Sequence, residues 1–444
     1  MSANDSEPAS HLLGIGFGPS NLALAIALRE HAARVQAEGL RYEFIEKQPR
    51  FGWHRGMLID GATMQVHFVK DLVTMRDPTS RYSFLYYLHM KNRLPEFLNH
   101  KTFYPTRLEF HDYLEWAAED FTEQVSYGQE AVSIMPVMNE GRVTYLDVVT
   151  RGTGAGSVHR TRNLVIACGL RPHMPDGLAV ADDVWHNSQL LIRLAGLDED
   201  RPWTFAVVGA GQSAAEVVEY LHRRFRHATI VSVFGRYGFS PADSTPFVNG
   251  IFDPKAVDTF YYAPQRVKRM LLDYHGNTNY SAVDIELIDE LYRRVYAEQV
   301  TGPERLKILN TSKLADVGRV NGRLRLTVRS LTTGELTEFS PDVMICATGY
   351  RPAAPEDLLG GFASYCETDD QGGVVVDRSY RVSTRDDVDC SVYLQGPTEH
   401  VHGISASLLS TTAIRAGEIG AAVVAEYMAG ECAQPLAVPT WREG

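Results

Sequence analysis

The chain has 444 residues, with 43 basic against 55 acidic side chains and a formal charge of −12. At ~150 residues per domain, this length predicts two or three units, each able to bury its own core. Hydrophobic residues at 44%, charged residues at 22% and a mean hydropathy of −0.19 point to neither wholesale disorder nor a membrane protein. The acidic balance argues against a nucleic-acid partner, while a local basic pocket for a phosphate stays open.

Residues 1–10 carry two acids, Asp5 and Glu7, ahead of the first apolar run. That run is broken by Gly14, Gly16, Gly18, Pro19 and Asn21, so it does not read as a secretory leader. No stretch reaches the ~18 apolar residues of a spanning helix. The five cysteines, Cys168, Cys346, Cys366, Cys390 and Cys432, form no CxxC pair. Reduced thiols and a cytoplasmic location are the expectation.

The first elements run from His11 through Gly14, Gly16, Gly18 and Pro19 to Asn21, then along the Ala/Leu-rich segment Leu22 to Glu30. They predict a strand, a glycine turn and a helix. Arg41 to Lys47 predicts a second strand that closes on Glu46. Such a β-α-β unit brings backbone against a pyrophosphate at the helix N-terminus, with Glu46 placed for ribose hydroxyls. Pro19 stands where a third glycine is usual, and the acid comes later than the customary ~20 residues. One glycine pattern is weak evidence; a second copy strengthens it.

Asn163 to Gly169 is an apolar run that closes on glycine. The second copy follows: Thr204 to Val208, then Gly209-Ala-Gly211-Gln212-Ser213-Ala214 and a helix through Glu216. The next strand, Ala228 to Arg236, does not end on an acid. Arg236 there favours the 2′-phosphate of NADPH, the alternative being a solvated loop cation. Ser213 is expected on a phosphate with Gln212 beside it, and it lacks the GxSxG context of a nucleophile. Asp342 to Tyr350 is another apolar run closing on Thr348-Gly349-Tyr350. Alternation at 144–150 and 324–331 predicts antiparallel strands.

The expected fold class is therefore α/β, with two Rossmann-like dinucleotide-binding domains, the NADPH domain inserted in the FAD domain, and a small substrate-binding subdomain. The expected boundaries are 1–190 for the first FAD segment, 200–335 for the NADPH domain and 336–444 for the second FAD segment. Substrate-binding elements are expected at about 240–300, where Asn, Ser, Thr and Tyr concentrate. The histidines His400 and His402 have no carboxylate or cysteine partner in spacing, so no metal site is expected.

At several places the sequence resembles the flavin-dependent N-hydroxylating monooxygenases of siderophore biosynthesis, above all the L-ornithine N5-monooxygenase branch. The resemblance rests on Gly14 to Asn21, Trp53-His54, Met64 to Leu72 with its Lys70-Asp-Leu, Asp77 to Phe84 and Phe103 to Arg107. It continues through Gly209 to Glu216, Asp243 to Asn249, Asn277 to Ser281, Ala347 to Tyr350 and His402 to Ser410, spanning nearly the whole chain. The resemblance implies that NADPH reduces FAD, that O₂ adds as C4a-hydroperoxyflavin, and that a primary amine takes the distal oxygen. It also implies a homo-oligomer, dimer or tetramer, and a hydroxamate siderophore or related product. The L-lysine N6-monooxygenase stays the alternative, since one methylene is worth only ~1–3 kcal/mol in a pocket. A Baeyer–Villiger or sulfur-oxidising enzyme lacks its fingerprint here, and a non-enzymatic flavin sensor would not need the second glycine motif.

Carried over by position, Lys70 resembles the residue that pairs with the amino acid's carboxylate and disfavours protonation of the nearby amine. Asn249 and Asn279 resemble the pair that binds the substrate's backbone groups and terminal amine, Asn279 also lying near NADP⁺. The Leu408 backbone and Ser410 would close the far side by substrate and flavin, with Ser405 and Ser407 as alternatives. Trp53, His54 and Gln65 resemble residues lining the flavin and its pyrophosphate, although His54 also reads as core packing. Thr348 is placed with the cofactor.

Overall fold

The computed structural model describes residues 9–152, 156–276, 282–370 and 372–433. Two sheets organise them. In the first, strand Ser10–Ile15 lies between Tyr42–Glu46 and Val158–Ile166, parallel to both. The long strand Val158–Ile166 is shared. Its first half pairs antiparallel with Arg142–Gly152, and its second half pairs parallel with Ser391–Leu394. Strand Gln129–Asn139 completes the antiparallel edge against Arg142–Gly152, and Val125–Tyr127 closes the other side.

The second sheet is parallel throughout, in the order Leu306–Leu309, Thr229–Val233, Thr204–Val208, Val343–Cys346, Val184–His186. Its central strands read as unbroken apolar runs because both faces are covered. Helix Gln212–Arg224 buries Ala214, Ala215, Val217, Val218 and Leu221 against one face. Val208, Val231 and Val233 meet the antiparallel ribbon Ser312–Val320, Arg323–Ser330, Leu336–Phe339 on the other. The alternation read at 144–150 and 324–331 thus corresponds to antiparallel strands in two different sheets.

Two neighbouring strands of the second sheet, the edge strand Val184–His186 and the interior strand Val343–Cys346, come from outside the 200–335 segment expected to build it. Their apolar side chains fit a sheet buried on both faces, and no local signal in such a run says which sheet it joins. The chain crosses between the sheets twice, and the two crossings pair: Leu170–Pro172 runs antiparallel to Tyr350–Pro352. The fold is α/β with one dinucleotide-binding domain inserted in another.

The first domain's core lies between its sheet and helices Pro19–Val35, Arg107–Glu119 and Thr412–Ala433. Residues 22–28 of the first helix are buried without interruption, because the sheet lies on one side and helix Thr412–Ala433 on the other. Small side chains allow the close approach; a Cβ at Gly420 would meet the Ala27 methyl at 3.3 Å.

An ion pair clamps the domains together. Arg107, at the start of helix Arg107–Glu119, donates from Nη1 to Glu216 Oε2 at 3.0 Å and from Nη2 to Oε1 at 2.8 Å. Arg107 Nη1 also donates to the Met57 carbonyl at 3.0 Å. Glu216 is 4% exposed and Arg107 13%, so water screens the pair little. Removing one member strands the other charge, which costs far more than the intact pair contributes. Glu216→Ala should lower unfolding free energy by about 3–5 kcal/mol in denaturant titrations. A loss below about 1 kcal/mol would mean that water already reaches Arg107.

Candidate active site

Both glycine turns converge on strand ends. The Gly16 amide donates to the Ile45 carbonyl at 2.8 Å, and the Ala167 amide to the Ile15 carbonyl at 2.9 Å. Gly16 has φ +83°, and a Cβ there would press on the Ala167 carbonyl. Gly209, at φ +146°, meets the Ala347 carbonyl in the same way. Glycine is required at both turns by backbone conformation and by the neighbouring strand.

Helix Pro19–Val35 starts after Gly18, and helix Gln212–Arg224 after Gly211; neither N-cap offers a side-chain acceptor to the first-turn amides. The first-turn amides of both helices therefore lack a side-chain acceptor, and the dipole adds partial positive charge there. Space is open where a Gly18 side chain would point. Two such ends fit two diphosphates. Pro19 occupies the first helical position, where its missing N–H costs nothing, which explains the absent third glycine.

Glu46 ends its strand buried. Its Oε2 accepts from the Phe17 amide at 2.7 Å and its Oε1 from the Gln48 amide at 2.8 Å. The carboxylate thus ties the second strand to the glycine turn and keeps lone pairs for a hydroxyl donor. At the matching place in the second domain the chain runs from Val233 through exposed Arg236 and carries no acid. The 310–311 turn holds that loop: the Thr311 amide donates to the Arg236 carbonyl at 2.8 Å.

A crevice wall is visible around His54. The residue lies open to solvent, yet enough protein surrounds it to push its imidazole down to about 4, by burial first and then by the charges of Arg107 and His111. Its ring stands edge-on to Trp53 at 4.6 Å and to Tyr350 at 6.0 Å. Tyr350 is also 5.0 Å from His186, on the edge strand Val184–His186 of the second sheet. Trp53 and His54 from one domain therefore meet Tyr350 from the paired crossing strands. Thr348 donates its hydroxyl to the His173 carbonyl, stitching the two crossings together.

Gln65 and Gln212 share one acceptor: each donates to Asp284 Oδ2, at 2.7 and 2.8 Å. The Asp284 amide returns a bond to Gln212 Oε1 at 2.9 Å, and Gln212 also reaches Glu216. A polar chain thus runs from Gln65 through Asp284 and Gln212 to the Glu216–Arg107 pair. Burial raises the Asp284 pKa, opposed by the two glutamine hydrogen bonds and reinforced by Glu216 and Glu286. Sequence reasoning missed this chain, whose members lie up to 219 residues apart.

Lys70 is half-buried, and its amide donates to the His67 carbonyl at 2.8 Å. Among the described residues no carboxylate pairs with its ammonium. The adjacent Asp71 holds the loop instead. It accepts from the Val73, Thr74 and Phe84 amides at 2.9, 2.6 and 2.7 Å, and from the Thr74 hydroxyl at 2.8 Å. An acid between Lys70 and Leu72 was legible in the sequence; its role as the loop's anchor was not.

Asn249 ends the short helix Pro246–Asn249, exposed, with its amide donating to the Ser244 carbonyl at 3.0 Å. Asn279 lies outside the described residues. Beside Asn249, Phe247, Val248, Gly250, Ile251 and Phe260 face His402 to Ser405 across a cavity of about 540 Å³. The structure therefore brings the 247–260 segment against the 402–405 segment. Ser410 is buried in the turn Leu409–Thr411. The Leu408 amide donates to Ser405, while its carbonyl accepts from the Thr412 hydroxyl at 3.0 Å. His400 and His402 sit in a short helix, Glu399–His402.

The profile of the L-lysine 6-monooxygenase/L-ornithine 5-monooxygenase family matches residues 9–352. The chain belongs to this family. It is 42% identical over 405 residues to the L-ornithine N(5)-monooxygenase of Burkholderia cepacia, covering 89% of this chain and 90% of that protein. The ornithine N-hydroxylase of Kutzneria sp. 744, described as FADred-NADP+-L-orn, superposes with a TM-score of 0.90 at 43% identity. That likeness covers 94% of this chain and all of the other. An L-lysine 6-monooxygenase from Pseudomonas syringae superposes with a TM-score of 0.82 at 29% identity, covering 94% of this chain and 99% of that one. As a member of the family, the chain is a monooxygenase. No described helix is long and apolar enough to cross a membrane.

His402 at the cavity edge supplies a pH test of this monooxygenase. It stacks on Tyr380 at 4.2 Å, and burial pushes its imidazole down to about 4. Below about pH 6.5 the unfolded chain takes up a proton that the folded ring refuses until near 4, so stability falls as pH falls. His402→Gln should flatten the decline of Tm between pH 7 and 5. Equal slopes in both proteins would remove His402 from the acid response.

Proposed function

We propose that the chain N-hydroxylates the side-chain amine of L-ornithine with NADPH and O₂ on FAD, giving N5-hydroxyornithine for a hydroxamate siderophore or related product. The carrying observation is the pair of uncapped, glycine-started helix ends in a chain whose ornithine-hydroxylating relatives match nearly its whole length. Bound FAD supplies the oxygen chemistry, drawing its electrons from NADPH. The overall balance is amine, O₂, NADPH and a proton going to hydroxylamine, water and NADP⁺.

The first glycine turn with Glu46 holds FAD, and Trp53, His54 and Gln65 line its crevice. The second turn, with Gln212, Ser213 and Arg236, holds NADPH in a domain that includes strands Val184–His186 and Val343–Cys346. Lys70, a half-buried cation with no carboxylate partner among the described residues, takes the amino acid's carboxylate. Its charge also disfavours protonation of the amine, which must be neutral to act as a nucleophile. Asn249 and Asn279 bind the remaining polar groups without adding charge. The Leu408 backbone and Ser410 close the site and keep water from the reacting oxygen. The family reading also supports a cytoplasmic enzyme that acts as a homo-oligomer, a dimer or a tetramer.

FAD-loaded protein with NADPH should form hydroxylamine from L-ornithine but not from L-lysine or putrescine. Product from lysine or putrescine instead would overturn the ornithine assignment, and peroxide without hydroxylamine from any amine would overturn the substrate class. In the same assay Lys70→Ala should raise KM for ornithine by about 10-fold or more while NADPH oxidation persists. An unchanged KM would take Lys70 out of the pocket.

Arg236 is tested separately through the nucleotide. Arg236→Ala should weaken NADPH by about 10-fold and leave NADH nearly unaffected, because only NADPH carries the 2′-phosphate. Equal losses for both would place the phosphate contact on another residue.

A further inference from the structure

Arg415 is among the largest fully buried side chains, 1% exposed, and nothing in the mechanism above uses it. It lies in the first turn of helix Thr412–Ala433, where the helix dipole disfavours a cation. Its hydrogen bonds all go to neutral acceptors: the Ala406 carbonyl at 2.6 Å, Thr412 Oγ1 at 3.3 Å, Ser20 Oγ at 3.4 Å and Gln395 Oε1 at 3.4 Å. Among the described residues no carboxylate makes ion-pair contact with it. Glu418, one turn along the helix, is bound by Arg378 at 3.0 and 3.3 Å. A guanidinium carried this deep without a counter-charge is costly, and burial lowers its pKa accordingly.

What surrounds Arg415 explains the cost. Ser20 is the second residue of helix Pro19–Val35, whose uncapped N-terminus faces the open space at Gly18. Gln395 donates to Asn21 Oδ1 at 3.0 Å and to the Ser20 carbonyl at 3.4 Å. Asn21 in turn donates to the Gly16 carbonyl at 2.6 Å. Ala406 belongs to the 404–407 turn that borders the cavity. One side chain therefore joins the glycine turn, the end of strand Ser391–Leu394 and the 404–411 segment, immediately behind the place where a diphosphate fits.

We propose that Arg415 is the buried counter-charge of the FAD diphosphate, a positioning residue that acts through Ser20 and Gln395 rather than by touching the cofactor. The proposal rests on the assignment of the first glycine turn to FAD. It gives the first domain a full positive charge behind a helix end that otherwise offers only partial charges.

The experiment measures FAD dissociation constants, by flavin fluorescence, for the flavin-free full-length protein and for Arg415→Lys and Arg415→Gln. Arg415→Gln keeps hydrogen-bonding capacity and loses the charge; Arg415→Lys keeps the charge and loses the planar fork. The wild type should bind FAD, the Lys variant within about 5-fold of it, and the Gln variant about 10- to 100-fold more weakly. The flavin-free Gln variant should melt no lower than the flavin-free wild type, since an uncompensated charge has been removed. Equal affinity losses in both variants, or none in the Gln variant, would overturn the charge role and leave a structural one. If the Gln variant does not fold, the Lys variant decides alone: a loss of about 10-fold or more overturns the proposal. A wild type that binds no FAD would overturn the cofactor assignment itself, a separate outcome.

Discussion

Helices Pro19–Val35 and Gln212–Arg224 each begin on a glycine and leave first-turn amides without a side-chain acceptor. Orphan backbone donors are costly when shielded from water, so each end demands an anion or solvent. The parallel strands of both sheets position these two ends. In each domain a strand feeds the glycine turn, neighbouring strands hold the turn through backbone bonds, and glycine is required because the adjoining carbonyl leaves no room for a Cβ.

Joining two such ends to one reaction requires the domains to keep a defined geometry, and three connections do this by different means. The paired strands Leu170–Pro172 and Tyr350–Pro352 make the double crossing stiff. The bidentate Arg107–Glu216 pair supplies direction, since a planar guanidinium accepts a carboxylate in few orientations. The Gln65–Asp284–Gln212 bridge adds a softer link, in which neutral amides meet a carboxylate whose pKa burial has raised. Apolar packing accompanies these polar links, since Met57 and Ile59 from the first domain are buried in the core of the second.

Around the residues proposed to hold the substrate, the organisation is looser. Asp71 accepts four hydrogen bonds, three from within the loop that carries Lys70 and one from Phe84 at the start of helix Phe84–Met90, so the loop is firmly anchored. On the other side, Phe247 is fully exposed, and the Asn249 side chain donates to the Ser244 carbonyl within its own turn. One side is thus anchored by buried hydrogen bonds while the other is exposed.

Local chemistry determined much of this in the sequence alone. Both glycine turns, Glu46 at its strand end, the missing acid before Arg236 and the alternating strands at 144–150 and 324–331 are short-range patterns, and at Gly16 and Gly209 backbone sterics dictate the residue. Motif order also made the inserted layout legible. Only the tertiary structure decided that Val184–His186 and Val343–Cys346 join the second sheet, because buried apolar runs look alike whichever sheet they enter. It alone brought Arg107 to Glu216, Gln65 to Asp284 and Arg415 to Ser20, at separations of 109, 219 and 395 residues. Such polar partners carry no periodicity that marks them in advance, and their pairing follows from burial, which exists only once the chain has folded.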